Sequence, residues 1–284
     1  MKEIVFLIQC SDNKGLLAGI TSFFYEKSFN ILDCQQHTDL HTDKYFMRIV
    51  LDLANLRTSR NKLEEEFSVF AEKNALNWSV HYSDYVPKVA ILVSKTSHCL
   101  YDILLKHHEG DLKCDIPLII SNHPDLEYVA DQFKIPYYCE PVKKGEKELQ
   151  ESAVLKLLKK QHIDLVVLAR YMQILTPDFL KKFANPIINI HHAFLPAFQG
   201  ANPYKRAYER GVKIIGATAH YVTEDLDEGP IIEQGVERVS HKCGPDDFKR
   251  IGRDIESVVL SKAVKAHLDH QIVVTNNRTV VFSN

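Results

Sequence analysis

Glycine-rich signatures are missing from this sequence: no Walker A run, no GxGxxG and no GxSxG occurs along its 284 residues. Their absence argues against P-loop hydrolysis, dinucleotide binding and the serine-hydrolase elbow, which need glycine where backbone meets a ligand or turns sharply. Paired thiolates are missing too. The six cysteines, at 10, 34, 99, 114, 139 and 243, form no CxxC and suit neither a zinc ribbon nor a disulfide framework. They read as mostly small buried hydrophobes in a reducing cytoplasm. Apolar runs are short; residues 165–169 form one of the longest, against the roughly 18–20 residues that span a bilayer. The start, Met1-Lys2-Glu3-Ile4, meets Gln9 and Asp12 too soon for a signal peptide. Charge of one sign is also lacking. The 35 Lys and Arg against 37 Asp and Glu leave a net −2, which offers no basic footprint for nucleic acid or an anionic membrane.

What is present is a soluble, core-forming composition, 45% apolar and 25% charged, at a length that favours two domains. The pattern changes near residue 84. In residues 1–83, an apolar run at 4–8 precedes the turn Asp12-Asn13-Lys14-Gly15, after which Leu16, Ile20, Phe23 and Phe24 share a helical face. Residues 30–34 and 45–53 read as strands, the latter with Met47, Ile49, Leu51 and Leu53 on one side and Arg48 and Asp52 opposite. Leu63, Phe67, Phe70 and Ala71 mark a second helix, and Trp78, Val80 and Tyr82 alternate as a last strand. The order strand-helix-strand-strand-helix-strand is the ferredoxin-like α+β plan.

Beyond a short linker at 83–88, strands and helices alternate. Strands are expected at 89–94, 117–121, 136–140, 164–170 and 186–192, with amphipathic helices such as 145–162 between them. That pattern predicts an α/β domain over 84–284, with a doubly wound, mostly parallel sheet covered on both faces. Residues 212–223 and 230–239 then read as an antiparallel return, 245–267 as a long helix, and 272–275 with 279–282 as a terminal hairpin.

Three segments carry candidate chemistry. Asn189 and His191 are two apart on a strand, so both point to one face, where an amide and an imidazole make an oxyanion donor and a general acid–base. Equally, Asn189 caps the following loop and the histidines are satisfied loop residues. The acidic stretch from His220 to Pro230 is either a solvated turn or a loop that delivers Asp227, fixed by the chain reversal at Gly229-Pro230, to a histidine. Residues 170–177 are either a plain strand-to-helix loop, with Pro177 early in the helix, or a wall for a flat heteroaromatic ring. A metal site built from His191, His192, His220 and the acids is not expected. Adjacent strand residues point opposite ways, and HExxH is absent.

These residues carry a resemblance. Asn189-Ile190-His191, Phe194-Leu195-Pro196, Gly200 and the stretch from Gly216 to Pro230 resemble the folate-dependent formyltransferase family, and residues 170–177 resemble its folate loop. Cys10-Ser11-Asp12-Asn13-Lys14-Gly15-Leu16 resembles the opening of an ACT regulatory domain. An ACT domain fused to a formyltransferase domain is the plan of the family's deformylase branch. The likeness spans essentially the whole chain, including residues 191–198 and 277–282.

The resemblance implies a cytoplasmic hydrolase that converts 10-formyltetrahydrofolate and water to formate and tetrahydrofolate, supplying formate for purine synthesis and balancing the one-carbon pool. It implies a catalytic triad of Asn189, His191 and Asp227, with Met172, Gln173, Ile174, Leu175, Val222, Thr223 and Glu224 lining the pterin pocket. Folate is the substrate; no cofactor and no metal is expected. An amino-acid effector, glycine or methionine, would bind near Asp12, Asn13, Gly15 and Leu16, and a homo-oligomer is expected by analogy. One departure is informative. Family members that formylate glycinamide ribonucleotide carry a Gly-Ser-rich phosphate loop after the first strand of this domain. Here Val93-Ser94-Lys95-Thr96-Ser97-His98-Cys99 has no glycine, which favours water as the acceptor, although Lys95 still attracts anions. The competing readings are transfer of the formyl group to an amine, and a catalytically silent ACT-type amino-acid sensor.

Overall fold

Alternating apolar residues and two amphipathic helices build the N-terminal part of the computed structural model, which describes residues 2–196 and 203–283. Its elements are β1 (Glu3–Ser11), α1 (Leu16–Glu26), β2 (Ile31–Asp39), β3 (Lys44–Asp52), α2 (Arg60–Lys73) and β4 (Asn77–Tyr82). The four strands pair antiparallel in the order β2-β3-β1-β4, the split βαβ arrangement expected from the sequence. Ile20, Phe24, Leu63 and Phe67 pack with Ile4, Phe6, Met47 and Ile49 into one core. Each fully buried aromatic or aliphatic side chain there contributes roughly 1.5–3 kcal/mol.

The other face of β3 departs from expectation. By alternation Arg48 lies opposite the apolar side, yet it is only 7% exposed. Val5, Leu7, Phe46 and Val50 cover that face with Val273 and Phe282 from the end of the chain. Arg48 is retained because its donors are used: Nη1 reaches Asp33 at 3.0 Å, and Nε donates to the His270 carbonyl at 3.0 Å.

The chain groups into two units, Met1–Val86 with Asp269–Thr275 and Val280–Asn284, and Pro87–Leu268 with Asn276–Thr279. A second region running from 84 through 284 is therefore corrected: most of its last residues group with the N-terminal unit, because their apolar side chains complete the core on the second face of β3. The terminal strands, β12 (Ile272–Thr275) and β13 (Arg278–Val281), form a two-stranded sheet.

The second unit contains β5 (Lys88–Val93), α3 (His98–Glu109), β6 (Asp115–Ser121), α4 (Glu127–Phe133), β7 (Tyr137–Cys139), α5 (Lys147–Lys160), β8 (Leu165–Leu168), α6 (Pro177–Lys182), β9 (Ile187–His191), α7 (Pro203–Arg210), β10 (Ile214–Tyr221), β11 (Ile231–Arg238) and α8 (Pro245–Leu268). Its sheet runs β11-β10-β9-β8-β5-β6-β7; the five strands from β9 to β7 are parallel, and β10 and β11 return antiparallel. Ala90 and Leu92 pack toward Val154, Leu158 and Phe179, while Val89, Ile91 and Val93 are also buried, so both faces are covered. Of the cysteines, Cys10, Cys99 and Cys114 are buried but Cys34 and Cys139 are exposed, so burial accounts for fewer of them than expected.

Candidate active site

A cavity of about 470 Å³ opens beside β8, β9 and β10, within the size range of small-molecule sites. One wall is the loop after β8, residues 170–175; another is residues 222–227, after β10; the floor is Asn189, His191 and His220. All three candidate triad residues and all seven candidate pterin-pocket residues, Met172 to Leu175 and Val222 to Glu224, line this one space. The loop after β8 is braced from several sides. Met172 N–H donates to Ser94 Oγ at 2.9 Å, Tyr171 Oη accepts from Gln150 Nε2 at 2.9 Å, and Thr176 N–H donates to Glu151 Oε1 at 3.0 Å. Thr176 Oγ1 also caps α6 by accepting from Phe179 N–H.

Local backbone explains how a loop carboxylate reaches a strand histidine. Asp227 holds a left-handed φ of +58°, and Tyr221 N–H donates to the Pro230 carbonyl at 3.0 Å, closing the loop on itself. Gly229 permits that closure: a Cβ there would stand 1.8 Å from Tyr221 O. Asp227 Oδ2 then lies 3.2 Å from His191 Nδ1. This contact leaves His191 Nε2, a buried atom with no hydrogen-bond partner among the described residues, on the far edge of the ring.

By residue type His220 suits a metal, but the structure gives it another position. It pairs across the sheet with Asn189, so both side chains share one face. Its Nδ1 donates to the Tyr221 carbonyl at 2.9 Å, which leaves Nε2 to accept from Asn189 Nδ2 at 3.2 Å. The same Nε2 lies 3.7 Å from Asp227 Oδ1. Burial by itself would raise the Asp227 carboxyl, but the hydrogen bond and charge from His191 outweigh it and hold the group well below the usual carboxylate range. Asp227 is thus an anion in the resting site. His192 also borders the cavity and is kept neutral: burial, then the Arg170 charge, push it down to about 4.

Next to this cavity Glu256 of α8 gathers three partners. His98 Nε2 lies 2.9 Å from Oε2, Tyr204 Oη donates to Oε1 at 2.6 Å, and Arg170 Nε lies 3.3 Å from Oε2. Burial would raise this carboxyl, but the His98 hydrogen bond, the Arg170 charge and the Tyr204 hydroxyl hold it down. His98, Cys99 and Glu256 bring three potential metal-ligating atoms within 4.8 Å of one another. That group does not suit a cation: Glu256 is already engaged, and burial followed by the Glu256 charge keeps the Cys99 thiol protonated.

The effector candidates Asp12, Asn13, Gly15 and Leu16 lie at the β1–α1 turn, where Gly15 holds φ +87° and no side chain caps the helix. Gly200, part of the motif noted above, lies outside the described residues.

The formyl transferase family pattern matches residues 87–264. A formyltetrahydrofolate deformylase of Synechocystis sp. is 56% identical over 277 residues, covering 98% of this chain and 97% of that protein. One from Bacillus subtilis is 46% identical over 278 residues, covering 98% and 93%. The crystal structure of a formyltetrahydrofolate deformylase from Pseudomonas syringae pv. tomato superposes with a TM-score of 0.96 at 42% identity, covering 100% of this chain and 95% of that one. Similarity of this extent, over both units and with the formyl transferase pattern confined to the second, means that the chain belongs to the formyltetrahydrofolate deformylases of the formyl transferase family.

Proposed function

We propose that this protein hydrolyses 10-formyltetrahydrofolate to formate and tetrahydrofolate, supplying formate for purine synthesis and balancing the one-carbon pool. The observation that carries the reading is the arrangement of Asn189, His191 and Asp227 around one cavity, with Nδ1 of His191 held at 3.2 Å from Asp227 and Nε2 left unpartnered.

Water attacks the formyl carbon, and negative charge develops on the formyl oxygen. The Asn189 amide and the His191 imidazolium at Nε2 donate to that oxygen, each such donor worth on the order of 10²–10³ in rate. Asp227 fixes the ring and stabilises its positive form. The proton from the attacking water passes to the Asp227 carboxylate, directly or through a second water. The His191–Asp227 pair returns a proton to the leaving nitrogen as the C–N bond breaks. His220 Nε2 engages one N–H of Asn189 and orients the other toward the cavity. No step is routed through a metal or cofactor.

Water rather than an amine is favoured by how the glycine-free loop is used. Ser94 donates to Asn122 at 2.6 Å and braces Met172, so this side chain faces protein partners and not an acceptor phosphate. The test is to supply 10-formyltetrahydrofolate with glycinamide ribonucleotide and follow both products. Formate without formylated nucleotide is expected; stoichiometric transfer to the nucleotide refutes the assignment.

The N-terminal unit is read as an ACT regulatory domain that binds glycine or methionine at Asp12, Asn13, Gly15 and Leu16 within a homo-oligomer. The free amides at the start of α1 suit a carboxylate.

A further inference from the structure

A second cavity, of about 170 Å³, adjoins the catalytic one, and the two share Arg170 and His192. Its walls also carry His98, Lys205, Lys249 and Arg253. The lining carboxylate, Glu256, is already occupied by His98, Tyr204 and Arg170. Lys205 and Lys249 have exposed helical partners, Glu209 at 3.8 Å and Asp246 at 3.0 Å, which offset their charge only weakly. The cavity therefore remains cationic. Arg170 is the connection between the spaces. It holds an uncommon φ of +65°; its Nε faces Glu256 at 3.3 Å, and its buried Nη1 makes no hydrogen bond among the described residues. A guanidinium with a donor left over fits a carboxylate.

We propose that this second cavity is a subsite for formate, which receives the product anion from the catalytic cavity through Arg170. The proposal rests on the hydrolytic reading above. Formate forms beside Asp227, an anion that repels it, and within reach of a neighbouring space where cations predominate. That gradient draws formate away from the reacting centre without first requiring tetrahydrofolate to leave. His192, neutral because of its burial, lies on the shared boundary and adds no competing charge there.

The experiment compares the intact protein with the double variant Lys249→Gln/Arg253→Gln, two exposed positions on α8 outside the catalytic cavity. Formate binding is read by line broadening of ¹³C-formate, and separately as product inhibition of turnover. In the parent protein, formate is expected to inhibit without competing with the folate. In the variant its dissociation and inhibition constants are expected to rise about tenfold, as loss of two cations from a partly screened cleft implies, with kcat/KM for the folate within twofold. Unchanged constants in the variant, or strict competition between formate and folate, overturn the proposal. Inorganic phosphate forms a second arm. Displacement of ¹³C-formate by phosphate well below formate's own dissociation constant assigns the cavity to phosphate and also overturns it. Binding requires no turnover, so the two readings fail separately: intact formate binding without hydrolysis refutes the hydrolase, and hydrolysis without formate binding refutes the subsite.

Discussion

His220 stands directly across the β9–β10 ladder from Asn189, with its Nε2 3.2 Å from the asparagine amide nitrogen. Because Nδ1 of His220 is committed to the Tyr221 carbonyl, the tautomer that accepts from Asn189 is the one the backbone selects. The amide is thereby held in one orientation, and in the proposed mechanism the cross-strand pair is half of the oxyanion-stabilising apparatus.

Removing single members of this apparatus is expected to lower turnover while leaving the fold intact. Asn189→Ala should cost about 10²–10³ in kcat, in line with loss of one oxyanion donor. His191→Ala and Asp227→Asn should cost at least as much, and His220→Ala less, because His220 acts through Asn189. Steady-state formate release with circular dichroism as a folding control measures this. Near-normal turnover in a folded His191→Ala protein contradicts the mechanism.

Gly229→Ala probes the delivery of Asp227 without touching any reacting group. The added methyl meets the Tyr221 carbonyl oxygen, part of the backbone, so the loop itself must move. A displacement near 1 Å at a catalytic group costs up to about 10²-fold, so kcat is expected to fall by one to two orders of magnitude with little change in the far-ultraviolet spectrum. Retention of full kcat shows that the loop closure is unimportant.

Acid stability should carry the signature of His192. Its imidazole is pushed down to about 4 in the folded protein, from the ordinary 6.5. Between those values the unfolded chain binds the extra proton, so stability rises with pH across that window and is lost as pH falls through it. His192→Gln is expected to flatten the curve there by on the order of 2 kcal/mol, as read by denaturant unfolding at a series of pH values. Identical slopes in the two proteins remove His192 from the account. Asp227 acts in the same direction at lower pH: its depressed carboxyl stabilises the fold above about pH 4, and that contribution is lost progressively as pH falls below it.

Regulation is tested through Trp78, the only tryptophan, which packs against Phe6 at 5.8 Å and Phe67 at 4.9 Å between ring centroids. Glycine or methionine is expected to shift both Trp78 emission and turnover of the full chain, and Asn13→Ala to weaken both responses several-fold. A folded Asn13→Ala protein that responds as the parent does places the effector elsewhere.

Local periodicity determined much of this protein before any tertiary contact was considered. Period-2 and period-3.6 patterns depend only on which face of an element is apolar, so they locate one α+β and one α/β arrangement and put Asn189 and His191 on one side of a strand. The loops at 170–175 and 222–227 were also legible, as breaks between such patterns. Tertiary structure decided what pairs across long separations. His220 joins Asn189 because of the register between two strands, and Glu256 meets His98 because α8 packs beside α3. Arg48 is buried because the end of the chain covers the second face of its sheet. Register and face-to-face packing are set by the sum of distant contacts. No local spacing encodes them, and the site therefore acquires its second histidine and its neighbouring ion-paired cluster only in the folded chain.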